Sequence, residues 1–469
     1  MSRGGQHGIT SEKGTAMEQL SLFGIELLTM QEIFSTENMT RAWKQVRKNG
    51  GAAGIDGVRA RQLPPCPSEY WEELRSDILN GTYQPAPAKR VDIPKPDGTK
   101  RGLNIPTAKD RVVQACLANY FDYAKDFDMS AGSFGFRKHK RCEQAILRGL
   151  EFMNDGYDWI VDIDLRKFFD TVDQDRLIRL IDNTFKNSAV TALTRKFITA
   201  GVKIKGEVVK TEVGIPQGGP LSPVLANLFL DQADKELEKR GLNFTRYADD
   251  MLIYVRSEAA ANRVMKSYSN FLEKKLKLIV NTTKSKVARP NEIKYLGFGF
   301  KVNKGKWIAT AHLKSLESLN EKIIELTRRN WSIALSDRIT KVNQAIQGWC
   351  NYFRSAYIPK SQMRKLDQRL RRRVRSIIWK QWKSIKKKEW GLIKLGCPKD
   401  KAHSYACARQ GYVRCSRTFL NRYIKNEHLK RKGLQAIEDY FTQISTQFHE
   451  ALERTARCRS ACRGGVRGA

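Results

Sequence analysis

Apolar residues along this chain change their spacing several times, and each change marks an element. Residues 1–20 are polar and glycine-rich with no periodic face, which reads as a flexible lead. From 21 to about 155, helical patterns alternate with a hairpin punctuated at Ile93-Pro94-Lys95-Pro96-Asp97-Gly98. Trp159-Ile160-Val161-Asp162-Ile163-Asp164 is a short apolar run that reads as a buried strand delivering carboxylates at its end. Two further apolar arms within Phe244–Val255 flank the pair Asp249-Asp250. Between these strands, Ser222-Pro223 predicts a helix start, with the hydroxyl as N-cap and proline at the first helical position. Leu225, Leu228 and Phe229 then share a face, and Gly241 can end the helix.

Past about 306 the spacing is helical throughout. Ile339, Val342, Ile346, Trp349 and Phe353 form one stripe, leaving Lys341, Asn343, Gln344, Gln347 and Asn351 available. A second stripe, Leu366, Leu370, Val374, Ile378 and Trp382, is surrounded by arginines and lysines with Asp367 as the only acid. An excess of one sign so marked favours an RNA-phosphate surface, with Arg364, Lys365, Arg369, Arg371, Arg372, Arg373, Arg375 and Lys380 as the expected contacts.

Two strands ending in carboxylates need an explanation. Neighbouring acids at the tip of an apolar hairpin repel each other and lose hydration unless something positive sits against them. A divalent cation does that, since Mg²⁺ takes oxygen ligands and a pair of such ions can activate a hydroxyl and stabilise a leaving pyrophosphate. Composition points the same way. A net charge of +36 on 469 residues predicts a polyanionic partner. Nine cysteines without paired spacing imply reduced thiols, and no run is apolar enough to cross a membrane, so a cytoplasmic location is expected. His403, Cys407 and Cys415 offer three groups at uneven spacing, short of the four a structural zinc takes.

Tyr247-Ala248-Asp249-Asp250, with Asp164 ahead of Leu165-Arg166-Lys167-Phe168-Phe169, resembles the catalytic palm of reverse transcriptases. Other blocks narrow the resemblance to the reverse transcriptase/maturase proteins encoded by group II introns, over about residues 20 to 440. They are Asn49-Gly50-Gly51-Ala52-Ala53-Gly54-Ile55-Asp56-Gly57, Arg101-Gly102-Leu103-Asn104-Ile105-Pro106, Ser133-Phe134-Gly135-Phe136-Arg137, Gly214-Ile215-Pro216-Gln217-Gly218-Gly219, Asn281 with Lys284-Ser285-Lys286, and Tyr295-Leu296-Gly297-Phe298. Gln344–Phe353 resembles their maturase-specific thumb, and 391 to about 440 their C-terminal extension.

The resemblance implies an α+β right-hand polymerase, with fingers, a palm built on an antiparallel sheet, and a helical thumb. Its segments would be fingers and palm at 21–305, thumb/maturase at 306–390, a basic extension at 391–445 and an Arg/Gly-rich, disordered tail at 446–469. It implies Asp164, Asp249 and Asp250 as metal-site carboxylates, the Leu165 carbonyl as a further ligand, and two Mg²⁺ per site, for which Mn²⁺ can stand in. Lys95 and Arg101 would meet the triphosphate, Phe169 would reject a 2′-hydroxyl, and Gln217 would pack near the incoming nucleotide. Implied partners are intron RNA, an RNA template with a DNA or RNA primer, dNTPs and target DNA, in an oligomeric state the sequence does not give. The implied function is RNA-directed DNA synthesis, assistance to splicing, and retrohoming. The chain resembles the shorter forms that lack an HNH nuclease. A domesticated or defence-associated enzyme of the same family, and an RNA-binding maturase without polymerisation, are the alternatives.

Overall fold

The computed structural model describes residues 28–94, 98 and 100–464, the last ten of these as backbone only. The chain divides into two units, Met1–Ala288 and Arg289–Ala469.

In the first unit, α1 (Thr36–Asn49) and α2 (Glu69–Leu79) precede the hairpin β1 (Ala88–Pro94) and β2 (Lys100–Ile105). Helix α3 (Ala108–Lys125) follows, capped by Thr107, whose hydroxyl accepts the Asp110 N–H at 3.1 Å. It is buried nearly all round, its polar residues Asp110, Arg111 and Gln114 included. Next come α4 (Cys142–Asn154), β3 (Trp159–Ile163), α5 (Gln174–Phe185), α6 (Ser188–Thr199) and the short pair β4 (Val202–Ile204) and β5 (Glu207–Val209). Helix α7 (Ser222–Lys239), the hairpin β6 (Asn243–Tyr247) and β7 (Asp250–Val255), α8 (Glu258–Lys274) and β8 (Lys286–Ala288) complete the unit.

Two four-stranded sheets result. One has the order β2-β1-β4-β5; the other, β6-β7-β3-β8, is antiparallel throughout. Antiparallel sheets commonly cover one face and leave the other to solvent. In β3, Ile160, Val161 and Ile163 are buried while Asp162 is only partly covered.

Ser222 is not the N-cap of α7. It is the first helical residue, and its hydroxyl donates instead to the Pro216 carbonyl, with Pro223 at the second position. The preceding loop therefore uses the side chain that the sequence offered to the helix. The other end follows the pattern: Gly241 has φ +64°, and the N–H groups of Gly241 and Leu242 return to Glu238 and Leu237.

The second unit starts with the hairpin β9 (Phe298–Asn303) and β10 (Lys306–Ala311) and is helical thereafter. Its helices are α9 (Leu313–Leu326), α10 (Leu335–Tyr352), α11 (Lys360–Gln381), α12 (Ile385–Lys394), α13 (Lys399–Ala406), α14 (Tyr412–Arg417), α15 (Phe419–Tyr423), α16 (Asn426–Arg431) and α17 (Ile437–Gly464). The expected disordered tail is contradicted: α17 runs through most of it, to Gly464. Asp367, the acid on the basic stripe, anchors that helix by accepting the Ile437 and Glu438 N–H groups at 2.8 and 3.1 Å, an N-cap supplied from another helix.

Part of the expected free polar face of α10 is likewise occupied. Asn343 donates to the Gly433 carbonyl at 2.7 Å, Gln347 to Gln435 at 2.9 Å and Asn351 to the Tyr440 hydroxyl at 3.1 Å.

Candidate active site

The second sheet brings the acids together by register. Ile163 pairs with Met251, so one residue further along the two strands carry Asp164 and Asp250. On the other side of β7, Tyr247 pairs with Asp250, leaving Ala248-Asp249 as a two-residue hairpin loop. Ala248 has φ +58°, a left-handed conformation that a two-residue hairpin favours and an alanine resists. Lys167, on the strand-to-helix turn after Asp164, is left-handed as well, with φ +50°. Strained backbone therefore flanks the acids on both chain segments.

A buried network holds the hairpin tip. Arg246 and Asp234 are both fully buried, and Arg246 Nε meets both carboxylate oxygens of Asp234 at 2.7 and 3.0 Å. Its Nη1 donates to Asn227 at 3.0 Å and to the Ala248 carbonyl at 2.9 Å, and Nη2 to the Ser133 hydroxyl at 2.8 Å and to Asp234 at 2.5 Å. Every donor of the guanidinium fork is thus in use. Burial works against its charge, but the Asp234 carboxylate outweighs it and holds the group charged. Gly135 completes the brace, because a Cβ there would stand 2.1 Å from the Ala248 nitrogen. The sequence marked Ser133-Phe134-Gly135 as a block but gave it no role, and Arg246 and Asp234 were missed altogether.

Asp164 has its own support. Asn281 donates from Nδ2 to its carboxylate at 2.7 Å, the Ser285 hydroxyl accepts its backbone N–H at 3.0 Å, and Lys284 Nζ lies 3.9 Å away. The block Asn281 with Lys284-Ser285-Lys286 was the signal for this contact. Arg101 donates to the Gln217 amide oxygen at 3.0 Å, and the Gln217 carbonyl accepts the Asn104 N–H at 2.6 Å, so β2 and the glycine loop meet here. That approach requires Gly218, where φ is +129° and a Cβ would lie 2.4 Å from the Asn104 carbonyl oxygen. Phe169 is buried edge-on against Phe168, and its carbonyl accepts the Ile215 N–H at 2.7 Å, tying it to the same loop. Leu165 is buried, and Lys95 lies outside the described residues.

The electrostatics are those of crowded acid. Burial raises the Asp249 pKa, and nearby Asp164 adds to the rise, while Arg101 and Arg246 oppose it. Asp162 is pushed up to about 7 by burial and then by Asp250, with Lys286 offsetting and Asp164 adding. Among the described residues, no three acidic, histidine or cysteine side chains stand close enough to enclose a metal ion. The oxygen-only donors still suit a hard cation.

The basic helix α11 divides into two sets. Arg375 is buried, with donors fixed on the Ile424 carbonyl and Asn426 at 2.8 Å each, so it cannot reach RNA and the expected contact is corrected. Arg373 is turned inward as well, onto Thr327 at 2.5 Å and the Ile324 carbonyl at 3.0 Å. Arg364 is paired with Glu438, Arg369 bonds Asn320, and Lys380 bonds the Arg329 carbonyl. Lys365 is exposed, while Arg371 and Arg372 are half-buried.

Residues 93–300 match the family described as reverse transcriptase (RNA-dependent DNA polymerase), and residues 316–396 match the group II intron, maturase-specific domain. Protein YkfC of Escherichia coli is 29% identical over 283 residues, covering 52% of this chain and 74% of that protein. The group II intron-encoded protein LtrA of Lactococcus lactis is 30% identical over 212 residues, covering 45% of this chain and 35% of LtrA. The retron Ec73 reverse transcriptase of Escherichia coli is 26% identical over 206 residues, covering 40% of this chain and 60% of that enzyme. The chain thus spans about three quarters of one of these relatives and about a third of LtrA. Among the described residues no helix is long and apolar enough to cross a membrane.

Proposed function

We propose, for a chain that belongs to the group II intron-encoded reverse transcriptase/maturase proteins, that it is an RNA-directed DNA polymerase that also binds group II intron RNA. It assists splicing of that RNA and copies it into DNA during retrohoming. The observation that carries the reading is the meeting of Asp164, the Asp249-Asp250 tip, Arg101 and Gln217 in one unit, ahead of a maturase-specific domain.

Asp164, Asp249 and Asp250, with the Leu165 carbonyl, would hold Mg²⁺, two ions serving to activate the primer hydroxyl and to stabilise the departing pyrophosphate. The chain's own residues do the rest. Asn281 fixes the carboxylate of Asp164, and the Arg246 network fixes the hairpin that presents Asp249. Arg101, oriented by Gln217, supplies positive charge for a triphosphate, and Lys95 would add to it. Phe169, held by the Ile215 contact, would bar a 2′-hydroxyl by overlap. The RNA template with its primer, dNTPs, target DNA and intron RNA are the partners of this reading.

The test is primer extension on an RNA template with Mg²⁺, run beside RNA binding. Asp164→Asn and Asp249→Asn should abolish extension and leave RNA affinity nearly unchanged, because the basic surface persists. Near-normal extension by either variant refutes the metal assignment. Splicing of a flanking intron with and without the protein tests the maturase half; extension without any effect on splicing would instead identify a domesticated polymerase.

A further inference from the structure

The second unit contains a cleft of about 1120 Å³ where the loop after α9, the C-terminal half of α11 and the start of α14 meet. Its lining includes six cationic side chains and no acid. Two of the six are braces. Arg373 and Lys380 bond the Thr327 hydroxyl and the Ile324 and Arg329 carbonyls, neutralising the negative end of α9 and fixing the loop that follows it. The other four, Arg328, Arg329, Arg414 and Arg417, are exposed, and none is ion-paired with a carboxylate of another described residue. Arg329 lies over the ring of Tyr412, 4.6 Å from its centroid, and the Ser376 hydroxyl holds the Tyr412 carbonyl at 3.2 Å.

Four like charges in one concavity repel each other unless an anion fills it. Guanidinium groups match phosphate oxygens with paired hydrogen bonds, and an unpaired base can extend an arginine–tyrosine stack. We propose that this cleft binds a nucleic-acid strand, with phosphodiesters on Arg328, Arg329, Arg414 and Arg417 and a base stacked at Tyr412. The proposal rests on the RNA-binding half of the function proposed above and gives it a place. It also assigns work to α14, which lies beyond the maturase-specific match ending at 396.

The test uses the full chain and fluorescein-labelled single-stranded RNA and DNA of one sequence, with binding followed by anisotropy across a KCl series. The double variant Arg414→Gln/Arg417→Gln should lower the log-log salt slope by about 1.4, at about 0.7 per lost contact on a single strand. Tyr412→Ala should weaken binding about fivefold or more without changing the slope, and Tyr412→Phe should restore it. A loss confined to RNA or to DNA names the strand, and either supports the site. Wild-type affinity and slope in both variants overturn the cleft while leaving the RNA-binding reading intact. A wild-type protein without salt-dependent binding overturns both. Should a variant unfold, cross-linking of thiouridine-labelled RNA to the wild-type chain decides: adducts within 411–417 support the site, and their absence there overturns it.

Discussion

Arginine serves opposite ends in the two units. Arg246 in the first is fully buried, every donor spent on positioning a strained hairpin that carries acids. Around the cleft of the second, buried arginines brace backbone so that exposed ones can face outward. Arg338 donates to the carbonyls of Leu326, Arg328 and Trp331, and Arg375 to that of Ile424. In both places the buried cation is structural, its donors spent on neighbouring protein groups. A guanidinium therefore has to be judged by what its donors already touch.

The largest effect should come from the first unit. Arg246→Met leaves Asp234 as an unpaired buried acid, which should cost about 3–5 kcal/mol of stability and take primer extension with it. Gly135→Ala separates the two consequences, since it crowds the Ala248 nitrogen without removing a charge. It should lower kcat more than it raises KM for dNTP. An unchanged melting temperature in Arg246→Met would mean that the pair contributes nothing, and the brace would have to be abandoned.

Arg375→Gln should cost about 1–3 kcal/mol, because the Ile424 carbonyl loses its donor inside the core. Its salt slope for RNA should stay at the wild-type value. Thermal unfolding and the salt series together make the contrast with the exposed cleft arginines measurable, and a flatter slope in the folded variant would place Arg375 on RNA after all.

These differences explain what was legible. The acids could be read because strand, turn and carboxylate are consecutive in sequence, so Asp164 and Asp249-Asp250 each announce themselves locally. Three strands of the sheet were read from the same runs, while its antiparallel arrangement came from the family resemblance. The brace could not be read, because Ser133, Gly135, Asn227, Asp234 and Arg246 come from three separate segments and no periodicity links them. Arg373 and Arg375 on the basic helix were misread for a related reason. A run of arginines looks alike whether its members face RNA or the carbonyls at the end of a neighbouring helix, and Thr327, Ile424 and Asn426 decide which. The helix Ile437–Gly464 went unseen because its N-terminus is capped by Asp367 from far upstream.

Phe169→Val tests a side chain that is both core and proposed gate. Loss of the ring should reduce discrimination against ribonucleotides about tenfold or more, read as the ratio of kcat/KM values for the two sugar classes. The Ile215 contact is made by backbone and survives the change. A lower melting temperature with an unaltered ratio would make Phe169 a packing residue alone.

The smallest effect is expected at Arg364, on the same helix as Arg375 but at its surface. Its Nε bonds both oxygens of Glu438, at 3.1 and 3.0 Å, and its side chain is 63% exposed. Exposed pairs contribute little, so Arg364→Gln should change stability by less than about 1 kcal/mol. A guanidinium already matched by a carboxylate forms a pair of no net charge, so the salt slope should not move. A fall of about 0.7 would show that Arg364 leaves Glu438 for the nucleic acid. The exposed edge of the helix would then join the cleft as one continuous RNA surface.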